Sequence, residues 1–222
     1  MRTFVIGLAL ATTALPPEMA GAAERICVIA RLIGAQVTVI DAGAEALAAE
    51  GQVVRPDMIM RTGSESRAEI RCGDGITVTV GAGTLLDLAE LAGEAEQGIL
   101  MRLFNGIVGI DAPNKTWDRF EVETNLAIAS VRSTAWLVES SPETGTAVFV
   151  RRGQVAVTSG STGAELDAGE GVEIVSIGVG VRSLGEGGGA ELAEAEVKPV
   201  KRWGEARVRD TVGALGFGWD EN

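Results

Sequence analysis

Apolar and polar residues alternate over much of the chain. Ala68, Ile70 and Cys72 fall on one face of an extended segment, and Arg67, Glu69 and Arg71 on the other. That is the period of two of a half-buried strand. After Gly73-Asp74-Gly75, Ile76, Val78 and Val80 alternate with Thr77 and Thr79, which predicts a hairpin. Residues 26–40 predict one or two strands, ending in the alternating Gln36–Ile40 and the turn Asp41-Ala42-Gly43. Ala44–Glu50 permits a helical turn or a loop. Residues 85–103 are mixed, although Met101 and Leu103 around Arg102 predict a strand.

Asn105-Gly106 carries the signature of a hairpin turn. Further on, Phe120 and Val122 alternate with charged residues, and strands follow over 126–131 and 134–138. A turn at 141–145 leads into a third hairpin, with 147–151 and 154–158 flanking Arg152-Gly153. The last strand lies within 172–181. Strand and turn signals recur roughly every 8–12 residues, the spacing of an all-β sandwich, barrel or roll. Val-rich strands with few aromatics suit a narrow solenoid-like stack equally well.

The ends of the chain depart from this pattern. Arg2 precedes the apolar stretch Phe4–Leu15, Pro16-Pro17 follow, and small residues lie at Ala20 and Ala22. This arrangement predicts a signal peptide over 1–22, cleaved between Ala22 and Ala23. The all-β domain is expected over 23–183. Residues 184–200 are rich in Gly and Glu and predict a flexible linker. Within 201–216 the residues Trp203, Val208, Val212 and Leu215 share one helical stripe, while Arg202, Glu205, Arg207, Arg209 and Asp210 lie largely opposite. An amphipathic helix is therefore expected there, stopped by Gly216 and followed by a tail at 217–222. It packs back on the β-domain, docks a partner or is disordered. No stretch of the mature chain is long and apolar enough to span a bilayer.

Composition narrows the chemistry. Aromatics are 4% of the 222 residues and Tyr is absent, so Val, Ile, Leu and Ala must build the core. The 30 glycines exceed the ordinary share of about 7% and indicate many tight turns. The formal charge of −12 disfavours nucleic acid, whose phosphates call for a basic surface. His is absent, which removes Ser-His-Asp, Cys-His and His-zinc chemistry. Export past an oxidising boundary leaves two readings for the only cysteines, Cys27 and Cys72: a disulfide, or two buried thiols.

Four blocks of the β region resemble the FecR domain, a periplasmic signalling module. Asp57–Gly63 is similar to the family's GD-x-I-x-TG segment, through Asp57, Thr62 and Gly63. Ser66–Gly75 parallels a strand running into a turn at Asp74 and Gly75. Phe120–Thr134 resembles F-x-V-x-T-P-x-A-x-x-x-V-R-G-T, with Arg132 and Thr134 at its end. Arg152–Val157 with Leu166–Gly169 resembles G-x-V-x-V…L-x-x-G, through Gly153 and Gly169. Ser133 stands where the family has Gly, Asn125 where it has Pro, and Pro56 precedes Asp57 in place of Gly.

The resemblance implies a FecR-like β-roll, solenoid or sandwich with a short C-terminal helix. The family's regulators carry a cytoplasmic sigma-binding segment and one transmembrane helix that have no counterpart in this chain. A stand-alone, non-enzymatic periplasmic module is therefore expected, contacting an envelope or periplasmic protein and using no cofactor. An envelope-glycan binder is the alternative, with Trp117 and Trp136 as candidate stacking surfaces against a core role. Arg132 is either an anion ligand or a strand-end brace. Asp111, Asp118, Glu121 and Glu123 are the weakest candidates, since they lack the spacing of a calcium motif.

Overall fold

The computed structural model describes residues 24–94, 98–112, 119–131, 135–177 and 195–218. The first strands are β1 (Glu24–Arg25), β2 (Cys27–Ile33), β3 (Val37–Asp41), β4 (Ala44–Leu47), β5 (Val53–Val54), β6 (Ile59–Thr62) and β7 (Arg67–Cys72). They are followed by β8 (Thr77–Val80), β9 (Leu85–Asp87), β10 (Gly93–Glu94), β11 (Ile99–Asp111), β12 (Phe120–Glu123) and β13 (Ile128–Val131). The chain continues through β14 (Ala135–Ser141), β15 (Gly145–Arg152), β16 (Gln154–Ser159), β17 (Thr162–Asp167) and β18 (Glu170–Ser176). Two short strands, β19 (Ala195–Val197) and β20 (Lys201–Arg202), precede the helix α1 (Glu205–Leu215). The fold is all-β with a short C-terminal helix.

The strands form two layers. In the first, β5, β2, β7 and β8 lead to the C-terminal half of β11, then β14, β15 and β18. Both β19 and β20 pair with the free edge of β18. In the second, β4, β3, β6 and β9 lead to the N-terminal half of β11, then β12, β13, β16 and β17. Among the described strands only β11 and β12 pair in parallel; β1 and β10 form a separate two-stranded pair. The inner faces of both layers share one core, including Ile29, Ile70, Val108, Trp136 and Val148 from the first and Val39, Met60, Met101, Phe120 and Val157 from the second. Phe120 meets Trp136 edge-on across the layers, centroids 6.4 Å apart.

Two turn expectations change. Asn105-Gly106 is not a hairpin turn: β11 runs through it as one strand of 13 residues. Its first half pairs with β9 and β12 and its second with β8 and β14, so the strand crosses from one layer to the other. The register shifts between Leu103 and Asn105, and Gly106 has φ 100°. A Cβ at Gly106 would lie 2.3 Å from Thr84 Oγ1. Asn-Gly favours positive φ, and a strand corner uses that property as a hairpin does. Likewise β15 and β16 do not pair across Arg152-Gly153; β15 joins β14 and β18, and β16 joins β13 and β17. The hairpin of β7 and β8 forms as expected, with Ala68 opposite Val80. Ala44–Leu47, read as helical turn or loop, is an exposed edge strand.

The C-terminal boundaries also shift. The end of the expected linker is strand, because Ala195–Val197 pairs with Ile174–Ser176. The helix begins at Glu205 and not at 201, since Lys201-Arg202 pair with Glu170-Gly171 and Gly204 is extended at φ −71°, ψ 152°. Gly216, at φ 70°, closes it as expected. The predicted signal peptide and its junction at Ala22-Ala23 lie outside the described residues, as do Trp117, Asp118, Arg132, Ser133 and Thr134.

Candidate functional site beside the C-terminal helix

The outer face of the first layer is where the C-terminal segment docks. Register places Ile107, Glu139, Ala147 and Glu173 in one row across β11, β14, β15 and β18. The next row carries Gly109, Leu137, Phe149 and Gly171. Apolar members of these rows form a second cluster with Trp203, Val212 and Leu215. Trp203 stacks on Phe149, and Val208 and Ala214 pack at the margin. The predicted stripe therefore faces the sheet, and the helix is packed back on the β-domain. The far end of α1 is tied by Arg67, whose Nε donates to the Ala214 carbonyl at 2.8 Å. A cation near the last carbonyls suits the helix dipole.

Trp203 and α1 cover part of the outer face. Beside them a cleft of about 550 Å³ remains, with Ile107, Glu139, Ala147 and Glu173 along its floor. Ser141, Thr144, Gly145 and Val175 lie at one end, Ala82, Gly83, Asn105 and Gly106 at another, and Arg207 forms a wall. This volume lies within the roughly 300–1,000 Å³ span of small-molecule sites.

The charges are not evenly paired. Arg207 donates to Glu173 and lies over the Trp203 ring, 3.8 Å from its centroid. Lys201 Nζ is 3.7 Å from the other Glu173 oxygen. The hydrogen bond from Arg207 holds the Glu173 carboxyl below its ordinary range, although burial opposes this. Glu139 has the opposite shift. Burial pushes its carboxyl up, the charge of Glu173 adds to that, and Arg207 offsets it only through space. Glu139 is thus a desolvated carboxylate without the hydrogen-bonded cation that Glu173 has.

The motif residues named from sequence do not converge on this cleft. Thr62 is buried; its Oγ1 donates to the Gly81 carbonyl at 2.6 Å and accepts from Thr84 N at 2.9 Å. Gly63 N donates to Gln36 O at 2.7 Å, and a Cβ there would meet Gln36. Together they tie β6 to the corner beneath Gly106, where Thr84 Oγ1 accepts from Ile107 N. Asp57 has φ 61° in an exposed turn. Asp74 pairs with the buried Arg25 at 2.7 Å, and Gly75 and Gly153 serve turns at positive φ. Gly169 N donates to Val150 O, and its own carbonyl accepts from Trp203 N. These are braces of the fold. Cys27 and Cys72 face each other on β2 and β7, Cα atoms 4.0 Å apart, joined as a disulfide.

Other candidates resolve similarly. Trp136 is fully buried and offers no stacking surface. Asp111 pairs with Arg152 and Glu123 with Arg102, while Glu121 accepts from Ser130. Among the described residues no three Asp, Glu, Cys or His side chains gather as a metal site. Sequence reasoning missed Glu139, Glu173 and the inward role of Arg207. The only signal was the odd carboxylate at position 139 within the apolar strand Ala135–Ser141.

Residues 58–156 match the family model described as FecR protein. The chain contains a FecR domain. The FecR domain supplies Ile107, Glu139 and Ala147 of the cleft floor, whereas Glu173 and Arg207 come from the chain beyond it. Two crystal structures, each of a candidate anti-sigma factor from Parabacteroides distasonis, are similar to the chain. One has 19% identity and a TM-score of 0.48, covering 63% of this chain and 58% of that one. The second has 20% identity and a TM-score of 0.46, covering 62% and 57%. The chain thus spans less than two thirds of the length of these relatives. No curated protein matches it.

Proposed function

We propose that this protein is a non-catalytic periplasmic binding module of envelope signalling or organisation, acting through protein–protein contacts. The observation that carries the reading is the FecR domain over residues 58–156. Three further features support it. The N-terminal 22 residues have the composition of a cleaved export signal. The absence of His removes the commonest general base. The motif residues that have structural roles here brace corners and turns. Of the two Trp residues that the glycan-binding alternative named, Trp136 is buried in the core and Trp117 lies outside the described residues.

The test has two arms. Osmotic-shock fractionation with intact-mass analysis is expected to find the chain in the periplasm, beginning at Ala23. A cytoplasmic chain that retains Met1 would overturn the location. A photo-crosslinking residue at the exposed Thr144, on the cleft rim, is expected to form discrete adducts with an envelope protein in living cells. A folded protein that reproducibly forms no protein adduct would overturn the contact mode.

A further inference from the structure

We propose that the cleft beside α1 receives a cationic side chain, Lys or Arg, presented by a partner protein, with Glu139 as its counter-charge. This rests on the protein-binding reading above and deepens it.

The row Ile107–Glu139–Ala147–Glu173 shows how the surface handles a cation. At Glu173 it already receives one: the Arg207 guanidinium lies over the Trp203 ring and donates to the carboxylate. A planar guanidinium suits this combination of aromatic face and carboxylate. Glu139 lies two strands away on the same row, separated from Glu173 by the small side chain of Ala147. Its side chain is half-buried and lacks a hydrogen-bonded cation among the described residues. Taking a carboxylate out of water without a partner is unfavourable. An incoming cation that hydrogen-bonds Glu139 recovers that energy.

Space and surroundings agree with this. The cleft of about 550 Å³ opens over Glu139 and Ala147, and its rim of Ser141, Thr144, Asn105 and Gly83 supplies neutral polar groups suited to a peptide backbone. Arg207 and Lys201 both face Glu173, which leaves Glu139 as the lining carboxylate with no ion pair among the described residues. The chain as a whole carries −12, which steers basic partners toward it. Twelve of the fifteen lining residues lie within 58–156, and Glu173, Val175 and Arg207 lie beyond it, so recognition also reports whether α1, which carries Arg207, is docked.

The test uses the mature chain and two short probes, acetyl-Gly-Gly-Arg-Gly-Gly-amide and the same peptide with citrulline replacing Arg. Amide NMR shifts with the Arg peptide are expected to saturate and to cluster at Glu139, Thr144–Ala147 and Glu173. Citrulline, which keeps the shape and removes the charge, is expected to weaken binding at least tenfold. Glu139→Gln is expected to do the same while keeping the folded spectrum and losing no thermal stability. No saturable shift, equal binding of the citrulline peptide, or an unaffected Glu139→Gln variant would each overturn the proposal. So would calcium alone producing the same shifts, which would make the site a metal site. In cells, Thr144 adducts that persist in Glu139→Gln would sink the cation site and leave the protein-binding reading standing. Absence of adducts in the unsubstituted protein would sink that reading first.

Discussion

The indole of Trp203 lies stacked on Phe149, ring centroids 4.9 Å apart and planes inclined by 23°. That contact helps join the helical segment, residues 203–215, to the β-domain. It is possible because position 171, beneath the indole, is Gly: a Cβ there would lie 2.2 Å from Trp203 Nε1 and 2.8 Å from Val148 O. The backbone oxygen cannot move aside as the end of a flexible side chain would.

Gly171→Ala is therefore expected to destabilise the protein by about 1–3 kcal/mol, the range for overpacking. Trp203→Ala, which empties the same site, should cost about 3–5 kcal/mol. Both are expected to make α1 accessible to trypsin at Arg207 and Arg209, read by limited proteolysis alongside urea unfolding. A Gly171→Ala variant with unchanged unfolding and unchanged protection would contradict the docked arrangement.

The disulfide between Cys27 and Cys72 spans 45 residues of sequence. Closing a loop of that length stabilises by about 4 kcal/mol in the chain-entropy model. Paired replacement by Ala, or unfolding in reductant, is expected to lower the urea midpoint accordingly. Equal midpoints in oxidised and reduced protein would show that the bridge contributes nothing.

Glu139 and Glu173 should give opposite pH signatures. Glu173 titrates below the ordinary 4.5 when folded, so its pairing contributes stability above 4.5 and loses it as pH falls through the lower folded value. Glu139 titrates above 4.5 when folded. Its burial leaves stability intact below 4.5 and removes stability as pH rises through the folded value. At neutral pH, Glu173→Gln is expected to destabilise and Glu139→Gln to stabilise, with both effects fading in acid. Urea midpoints across pH measure this, and shifts of the same sign at pH 7 would refute the assignment. Arg207 and Lys201 are the cations facing these groups.

Thr62→Val should expose what the family's Thr-Gly pair does. Thr62 Oγ1 serves Gly81 O and Thr84 N at once, and Val keeps the shape while leaving both groups unsatisfied. A loss of about 1–3 kcal/mol is expected, measured by chemical unfolding. A neutral result would mean that water or a shift of the 81–84 turn satisfies them.

Much of the fold was legible because alternation is a local property. The hairpin of Arg67–Cys72 and Thr77–Val80 could be read from six apolar residues and one Gly-Asp-Gly turn. The helical stripe of Trp203, Val208, Val212 and Leu215 was equally plain. Turn residues were less informative. Asn105-Gly106 and Arg152-Gly153 encode backbone freedom, and that freedom serves a corner between layers as readily as a hairpin. Which one occurs depends on where the next strand finds a partner.

The amino-acid sequence by itself determined the class of this protein: short alternating strands, a core without Tyr, no histidine chemistry, a FecR-like motif order and an amphipathic tail helix. All of these follow from spacing and residue type within a few turns of chain. Only the tertiary structure decided that the outer face of one layer is buried a second time by that tail. It also brought Glu139, Glu173 and Arg207 to one cleft, from three segments as far as 68 residues apart in sequence. Hydrophobic periodicity records which side of a strand is apolar, but not what covers it. A carboxylate becomes a candidate site only when distant elements remove its water and leave space above it.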